Sequence, residues 1–459
     1  MNDLNPSRKR ACKSKFLSVA NTKKVMLLGL TAITALCLPP QVRAGGGSFY
    51  PTVTNVTQLI ADINYANTSG GTFTINLLPN TTFSLTSADN TTDYGNGLPV
   101  IGGANAVNLT ITGNGDTIQN SVSSNGKSSS QFRIFEVAAG ASLTMDDVTL
   151  QGGYSISAGG AVYNKGTLTI TRSTISGNIA WNGVNGFGGA IYNTGTATVS
   201  DGSTISGNEG IYGGAIENEG MLTVQGSTVS GNYADSAGAG IRNVGGTVAI
   251  SNAVVSDNSV DEGDGGAIYN AGGTVTISNG STLTGNSADK NEYSDTGGLG
   301  GGIYNTYGAV TISDSTMSGN VCFGNGGGIY NDSGGTVTVE NSSSIIGNGL
   351  NTEDDSGDLF PDDIVNFGVL YQDSTSTVGS LGGYSAIGLN PIVSIASWSS
   401  TAHQIVLSWS TNYMGFTLQS SMDPGSTNWT DCASPTISGA SYVVTNSMSA
   451  GAQFFRLKR

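Results

Sequence analysis

Carboxylates are the side chains in this sequence that occur often enough to do chemistry. The 459 residues include 32 Asp and Glu, 17 Lys and Arg, 4 Cys and 1 His. Acidic clusters lie at 261–264, 289–295 and 353–363. Oxygen-rich loops of this kind can bind Ca²⁺, but none of the three follows a defined calcium-loop pattern. We therefore expect solvated surface charge at the clusters and no cofactor or metal, with Ca²⁺ as the alternative.

Cleavage of an acidic polysaccharide is the reaction that such carboxylates could catalyse. A lyase needs a carboxylate cluster near an Arg or Lys base, and a hydrolase needs paired carboxylates on one face. Basic residues between 45 and 391 are few, namely Lys127, Arg133, Lys165, Arg172, Arg242 and Lys290. The single histidine, His403, lies beyond this region, so no Ser–His–Asp or Cys–His set can form within it. We assign no catalytic residue, and a polysaccharide lyase or glycoside hydrolase is an alternative function.

A hexapeptide that recurs seven times indicates the elements that must position these residues. It reads GGAVYN, GGAIYN, GGAIEN, GAGIRN, GGAIYN, GGGIYN and GGGIYN between residues 159 and 331. The copies start 29, 25, 25, 27, 35 and 26 residues apart, and each precedes a Thr/Val/Ile-rich run and a shorter run ending in Asn. Three β-prone segments per repeat, separated by Gly, Asn and Ser turns, predict one coil of a parallel β-helix.

Alternation of side chains along a strand assigns the last three positions of the hexapeptide. The fourth position is always Val or Ile and is predicted to fill the interior of the coil. The sixth position is always Asn, whose side-chain amide can bond from coil to coil and whose backbone tolerates a sharp corner. The predicted structural ladder consists of Asn164, Asn193, Asn218, Asn243, Asn270, Asn305 and Asn331.

The fifth position points outward in this scheme and carries mostly Tyr. An aromatic strip can stack on sugar rings, so we predict ligand binding by Tyr163, Tyr192, Tyr269, Tyr304 and Tyr330. The alternative is that these rings stack on one another and stabilise the sheet. Glu217 and Arg242 interrupt the row on adjacent coils, and we expect them to form an exposed ion pair worth well under ~1 kcal/mol.

The pairing of GGAIYN with a downstream STISGN resembles the repeats of the polymorphic outer-membrane protein family. The resemblance covers roughly residues 145–350 and is carried by the repetition rather than by one copy. It implies a right-handed parallel β-helix, similar to the pectin-lyase-like solenoid, that is displayed on a bacterial surface or released from it. An adhesin-like role follows from the same resemblance.

The N-terminus is predicted to be a signal peptide. Basic residues precede an apolar run at 25–38, two prolines end the run, and small residues allow cleavage between Ala44 and Gly45. The run is too short for an ordinary membrane span, so we expect no span in the mature chain. Cleavage removes 8 basic residues and 1 acidic residue, which leaves 9 and 31 and a net charge of −22. Such a charge repels nucleic acid.

Four regions follow from these patterns. Residues 1–44 form the signal peptide, 45–150 an N-terminal cap and the first coils, and 151–391 the regular repeats and last coils. An amphipathic helix within 53–69 is predicted to cover the first coil. Alternating short strands in 392–459 predict a small antiparallel β-sandwich. The fold class is therefore all-β, a right-handed parallel β-helix with three short strands per coil, a helical cap and a C-terminal sandwich.

The function that these features favour is binding of a glycan or a protein ligand outside the cell. We expect an exported bacterial protein, extracellular or at the cell surface or outer membrane, that is a monomer and does not bind nucleic acid. A polysaccharide-cleaving enzyme is one alternative. A purely structural envelope protein is the other.

Overall fold

The computed structural model describes most of the chain after the predicted signal peptide. The described residues are 41–42, 48–49, 52–103, 106–121, 131–289, 298–350, 360–383, 387–389, 394–399, 404–410, 417–423, 427–438, 441–447 and 453–458. The predicted cleavage site at Ala44 and Gly45 lies outside them, as do His403 and parts of the second and third acidic clusters. The chain divides into two compact units, 1–39 and 40–459, and the described residues belong to the second.

Three stacks of short strands form the sides of the predicted right-handed parallel β-helix. Sheet A contains the hexapeptides, and its ten strands are Phe135–Val137, Val162–Asn164, Ile191–Asn193, Ile216–Asn218, Ile241–Val244, Ile268–Ala271, Ile303–Thr306, Ile329–Asn331, Ile364–Asn366 and Leu381–Gly382. Equivalent residues of successive copies pair directly, as Tyr192 does with Tyr163 and Glu217. Each repeat is therefore one coil, and one turn of the coil advances by a single strand spacing of about 4.8 Å.

Sheet B receives two strands from each coil. Its first ladder contains Gly71–Asn76, Val107–Asn120, Ser142–Gln151, Thr167–Thr171, Thr196–Ser200, Met221–Gln225, Thr247–Ser251, Thr274–Ser278, Ala309–Ser313, Thr336–Glu340, Val369–Gln372 and Ile387–Leu389. The second ladder begins at Thr82–Leu85, shares the two long strands, and continues through Thr174–Ser176, Thr204–Ser206, Thr228–Ser230, Val254–Ser256, Thr282–Thr284, Thr316–Ser318, Ser344–Ile345 and Thr377–Val378. These ladders are the second and third segments that the repeat predicts.

Sheet C completes the coil with a strand that the repeat does not signal. Its members are Tyr154–Ser155, Ile179–Ala180, Glu209–Tyr212, Tyr233–Ala237, Ser259–Val260, Ser287–Ala288, Val321–Cys322, Gly349–Leu350 and Phe360–Pro361. Only the last pair of this sheet is antiparallel. Most of these strands have two residues, which is too short for an alternating pattern to be recognised in the sequence.

The tight corner before sheet A explains the first glycine of the hexapeptide. Gly188 has a φ of +66°, and a Cβ at this position would lie 2.0 Å from the carbonyl oxygen of Ile191. Any other residue would be strained and would collide with its own strand. Inside the corner, the fourth hexapeptide residues are fully buried and belong to one continuous apolar core. The glycine therefore allows the turn, and the aliphatic residue three positions later anchors the strand that follows in the core.

Two rows of buried asparagines run through the coils. The predicted row lies in sheet A, where each amide donates to the next at 2.6–2.8 Å from Asn164 through to Asn366. A second row joins the Asn residues that end the third segments, Asn178, Asn208, Asn232, Asn258, Asn286, Asn320 and Asn348, at 2.8–2.9 Å. Its last amide donates to the carboxylate of Asp363 at 2.9 Å. Both rows satisfy polar groups that the solenoid buries.

An α-helix and a C-terminal module complete the fold. The helix spans Val56–Ser69, starts at the cap residue Asn55, and buries Leu59, Ile63 and Ala66. These side chains belong to the same core as the first coils. A 3₁₀ turn follows at Thr92–Tyr94, and a separate antiparallel pair joins Gln41–Val42 to Ser48–Phe49. Within the described part of the chain, no helix is long and apolar enough to span a membrane.

The C-terminal module has two antiparallel sheets, as the sequence predicts. One contains Ser394–Ser399, Gln404–Ser410, Ser441–Ser447 and Thr436–Ser438, and the other contains Thr430–Asp431, Thr417–Ser421 and Phe454–Lys458. Leu407, Trp409, Leu418 and Val444 form its own buried core. The module is therefore packed independently of the long core of the solenoid.

Candidate functional site

The outward tyrosines of sheet A form a stack of rings. Tyr269 and Tyr304 have centroids 5.0 Å apart and an interplanar angle of 15°, and Tyr304 and Tyr330 are 5.6 Å apart at 4°. Tyr163 and Tyr192 are 5.0 Å apart at 31°. Rings lying flat on the sheet would overlap at this spacing, so they stand on edge and face one another. Mutual stacking is therefore what the geometry shows, and ligand binding by these rings stays a prediction.

Two further aromatic residues continue the stack of rings where Glu217 and Arg242 replace tyrosine. Phe187 lies 6.2 Å from Tyr192 and 5.3 Å from Tyr212, measured between ring centroids. The guanidinium of Arg242 then lies 4.7 Å from the Tyr212 centroid and 5.6 Å from that of Tyr269. Phe187 and Tyr212 each directly precede a Gly-Gly corner, which folds them against the fifth hexapeptide position. The sequence contained this signal, an aromatic residue before Gly-Gly, but its alternation pattern did not reveal the contact.

The expectation of an exposed Glu217–Arg242 ion pair is wrong. Arg242 Nη1 lies 2.6 Å from Glu217 Oε1, but the Glu217 side chain is 0% exposed and that of Arg242 only 21%. Rings on the neighbouring coils flank the guanidinium and contribute to this burial. Burial raises the pKa of Glu217 to about 8, and the charge of Arg242 lowers it only in part. The pair therefore lies inside the stack of aromatic rings, which we call the ring column, rather than on its solvated surface.

A partly buried network of charged residues closes the N-terminal end of the column. The Arg133 guanidinium lies 5.3 Å and Lys165 Nζ 4.6 Å from the centroid of Tyr163. Lys165 donates to Glu136 Oε1 at 2.8 Å and also contacts Asp93. These residues include the carboxylate and cation types that a lyase would use. However, Arg133 is 1% exposed and cannot reach a substrate, and carboxylates raise the pKa of Lys165 against its desolvation, which keeps it protonated. The role of this network is therefore structural, since it covers the N-terminal end of the column.

An open depression marks the C-terminal end of the column. It has a volume of about 420 Å³ and is lined by Asn325, Leu350, Asp362, Val365, Phe367, Gly382 and Gly383. The Phe367 ring lies 5.7 Å from that of Tyr330 and is inclined to it by 54°, so it departs from the stack. Asp362 Oδ2 accepts the Gly326 N–H at 2.6 Å, and burial raises the pKa of this carboxyl. Here an aromatic ring, a carboxylate and an amide meet at a concave surface.

Two more carboxylates border the tyrosines, one at each edge of sheet A. Asp264 precedes the strand of Tyr269 and accepts the Leu299 N–H at 3.0 Å, whereas Asp332 follows Tyr330 and accepts Thr306 Oγ1 at 3.3 Å. Burial raises the pKa of Asp264 to about 6. Burial first, and then the charges of both aspartates, raise the pKa of Tyr304. The Tyr304 hydroxyl is therefore neutral, and both carboxylates are near enough to influence its pKa.

The acidic clusters do not converge in the part of the chain that the structure describes. Asp261 accepts a hydrogen bond from the Tyr233 hydroxyl at 2.9 Å, away from Asp264. Among the described residues, no group of three His, Cys, Asp or Glu side chains is placed to hold a metal ion. The candidate site therefore consists of the ring column and the depression, and we name these two together the sheet A site.

Comparisons with known proteins add little to this description. No family model matches the chain, and no curated protein matches it. The solved structures that it resembles include a double mutant of the tailspike protein of E. coli bacteriophage HK620, at 14% identity over 87% of this chain and 88% of that chain, with a TM-score of 0.35. Another is a single mutant of the same tailspike in complex with a pentasaccharide, at 13% identity over the same shares, with a TM-score of 0.34.

The class of this protein rests on its own strand pairings. Register is kept from Phe135 to Asn366 along sheet A, with one coil for each repeat. The chain is a right-handed parallel β-helix protein with a helical cap and a C-terminal antiparallel module.

Proposed function

We propose that this protein binds a polysaccharide chain through the sheet A site, outside the cell or at a bacterial surface. The observation that carries the proposal is the depression at the end of the ring column, where Phe367, Asp362 and Asn325 line one open volume of about 420 Å³. Ligand pockets of about 300–1,000 Å³ with an aromatic wall and a few polar groups suit a sugar unit. The N-terminal export pattern and the resemblance of the repeats to a family of bacterial surface proteins support the location.

Neutral sugars suit this surface better than acidic ones. The chain carries a net charge of −15, and −22 without residues 1–44. Asp264, Asp332 and Asp362 border the column, and each offers oxygen atoms that accept from sugar hydroxyls. An anionic polymer would be repelled by the same carboxylates. The proposed ligand is therefore a neutral polysaccharide that lies along sheet A and ends or bends at Phe367.

A glycan array with purified residues 45–459, in the presence and absence of Ca²⁺, tests the proposal. We expect retention of neutral glycans that chelation leaves unchanged. Retention only in the presence of Ca²⁺ would indicate that the acidic loops, and not the sheet A site, bind the glycan. Failure to retain any glycan would overturn glycan binding. It would favour a protein ligand or a structural envelope component. In either case we propose that the protein is a monomer and does not bind nucleic acid.

Hydrolysis is the second candidate, and one observation favours it. A glycosidase pairs a carboxylic acid of raised pKa with an ionised carboxylate. Burial raises the pKa of Asp264 to about 6, with a smaller contribution from the charge of Asp332, and both aspartates border Tyr304. Analysis of every retained glycan for new reducing ends distinguishes the two functions. New ends that disappear in Asp264→Asn would establish an enzyme, and intact glycans would leave a binding protein.

A further inference from the structure

The C-terminal module contains a second concave surface, independent of the sheet A site. This depression has a volume of about 370 Å³, and its lining residues are Ser420, Ser421, Met422, Asp423, Asn428, Thr430 and Gln453. Six of the seven carry polar side chains, and none of them is basic. The depression therefore offers mainly hydrogen-bond acceptors and hydroxyl groups at the volume that ligand pockets occupy.

One acceptor at this depression has no partner. Gln453 Oε1 is shielded from water and forms no hydrogen bond within the described part of the chain. A shielded acceptor without a donor is unfavourable, and native proteins seldom retain one without a reason. The last torsion of a Gln side chain is soft, so the amide can turn its oxygen into the depression without breaking a bond of that oxygen. A ligand donor would satisfy it there.

The neighbouring strands hold this surface rigidly. Gln419 is 5% exposed, and its Nε2 donates to Asp431 at 2.6 Å. Arg456 donates from Nε and Nη2 to Gln419 Oε1 at 3.0 and 2.9 Å, and its guanidinium lies 4.3 Å from the Trp429 ring centroid. Trp429 is placed between two lining residues, Asn428 and Thr430. The strands that carry the lining residues are therefore joined to one another beside the depression, and a preformed surface reduces the entropy lost on binding.

We propose that this depression binds one unit of a neutral glycan, so that the protein has two glycan sites. Sugar hydroxyls supply the donor that Gln453 Oε1 lacks, and a neutral unit avoids repulsion by the charge of Asp423. The proposal does not depend on the sheet A site. If both sites act, one chain spanning them gains avidity without new contacts.

Saturation-transfer NMR on residues 45–459 tests the second site. The probes are four neutral tetrasaccharides, made of glucose, mannose, galactose or N-acetylglucosamine. The measurement is made in the Phe367→Ala variant, which weakens binding at the depression on sheet A. We expect at least one probe to bind this variant, and Gln453→Met added to it should weaken that binding at least tenfold. Thr430→Val should weaken it as well, so a folding failure of one variant leaves the test intact.

The control is Ile437→Ala, because Ile437 is 67% exposed and does not line the depression. It should leave binding unchanged. The melting temperature of Gln453→Met should be equal to or above that of the parent, since the change removes an unsatisfied acceptor. The proposal is overturned if no probe binds, or if Gln453→Met leaves the affinity unchanged. It is also overturned if calorimetry detects Ca²⁺ binding that requires Gln453 while the probes do not bind.

Discussion

Tyr304 illustrates how a repeated residue acquires particular surroundings. Its ring is held between those of Tyr269 and Tyr330, while Asp264 and Asp332 border the strip at opposite edges of sheet A. The ring faces are occupied by neighbours, so only edges and hydroxyls meet the solvent. Phe367 differs because it inclines away from the stack and lines an open volume. The exposed aromatic surface of the site is therefore at one end of the column.

Substitutions in this depression should separate glycan binding from stability. Phe367→Ala and Asp362→Asn should each weaken retention of a neutral glycan roughly tenfold, which corresponds to about 1.4 kcal/mol. Tyr304→Ala should weaken it less, because stacked neighbours remain, and it should mainly lower stability. Titration calorimetry with a glycan retained on the array measures these affinities. The control is Met221→Ala, an exposed residue of sheet B. Equal loss in the control and the variants would contradict the assignment.

The buried pair in the column predicts a large asymmetry between single and double substitutions. Arg242→Ala leaves the buried Glu217 carboxyl without its hydrogen-bond donor and should lower the free energy of unfolding by about 2 kcal/mol. Changing both residues to Met removes both buried polar groups and should recover most of that loss. Urea unfolding measures the difference. If the single variant is as stable as the wild type, the pair contributes as little as an exposed one.

The asparagine rows belong to the scale of elements, because each residue both donates and accepts between coils. Asn286 accepts from Asn258 and donates to Asn320, whereas the side-chain carboxylate of Asp363 only accepts, from Asn348 and from Ser380. A carboxylate therefore suits the end of a row and not its middle. The same chemistry explains why the seven Asn residues of the second row are followed by an Asp.

This rule gives a matched pair of variants. Asn286→Asp leaves Asn320 Oδ1 with only the backbone N–H of Asn286 as a donor, and it places a buried charge against the Val255 carbonyl oxygen. It should therefore lower the free energy of unfolding by about 3 kcal/mol. Asp363→Asn keeps one accepting oxygen and should cost about 1 kcal/mol. Thermal and urea unfolding of the two proteins provide the comparison. Equal losses in the free energy of unfolding would show that the donor-to-acceptor direction of the row does not affect stability.

The sequence predicted the coils well and the surface poorly, for physical reasons. Register follows from a repeated pattern, because the aliphatic fourth residue and the asparagine sixth must be buried in every copy. The surface depends on contacts across corners, such as Phe187 with Tyr192 and Arg242 with Tyr212. The alternation of side chains along a strand does not predict such contacts. The depression also escaped prediction, since no hexapeptide copy marks the coil of Phe367.

At the scale of the whole molecule, the coils should be removable units. Deleting residues 300–325, which removes 26 residues and one complete repeat, joins Leu299 to Gly326 and brings Tyr269 opposite Tyr330. The shortened chain should fold with the same circular dichroism and become shorter by one strand spacing, about 4.8 Å. Small-angle scattering measures the length. Deleting 313–325 alone shifts sheet B against sheet A and should prevent folding. Survival of this half-repeat deletion would contradict the coil as the unit.

The asparagine rows also give the solenoid an electrical direction. Every side-chain amide in them points its nitrogen toward later coils and its oxygen toward earlier ones, so their dipoles add along the axis. The C-terminal end of each row is consequently its positive pole. The carboxylate of Asp363 lies at that pole of the second row, where a negative charge is most favourable. The two ends of this rod are thus unlike in polarity, and a stacked array of such rods would have a single sense of growth.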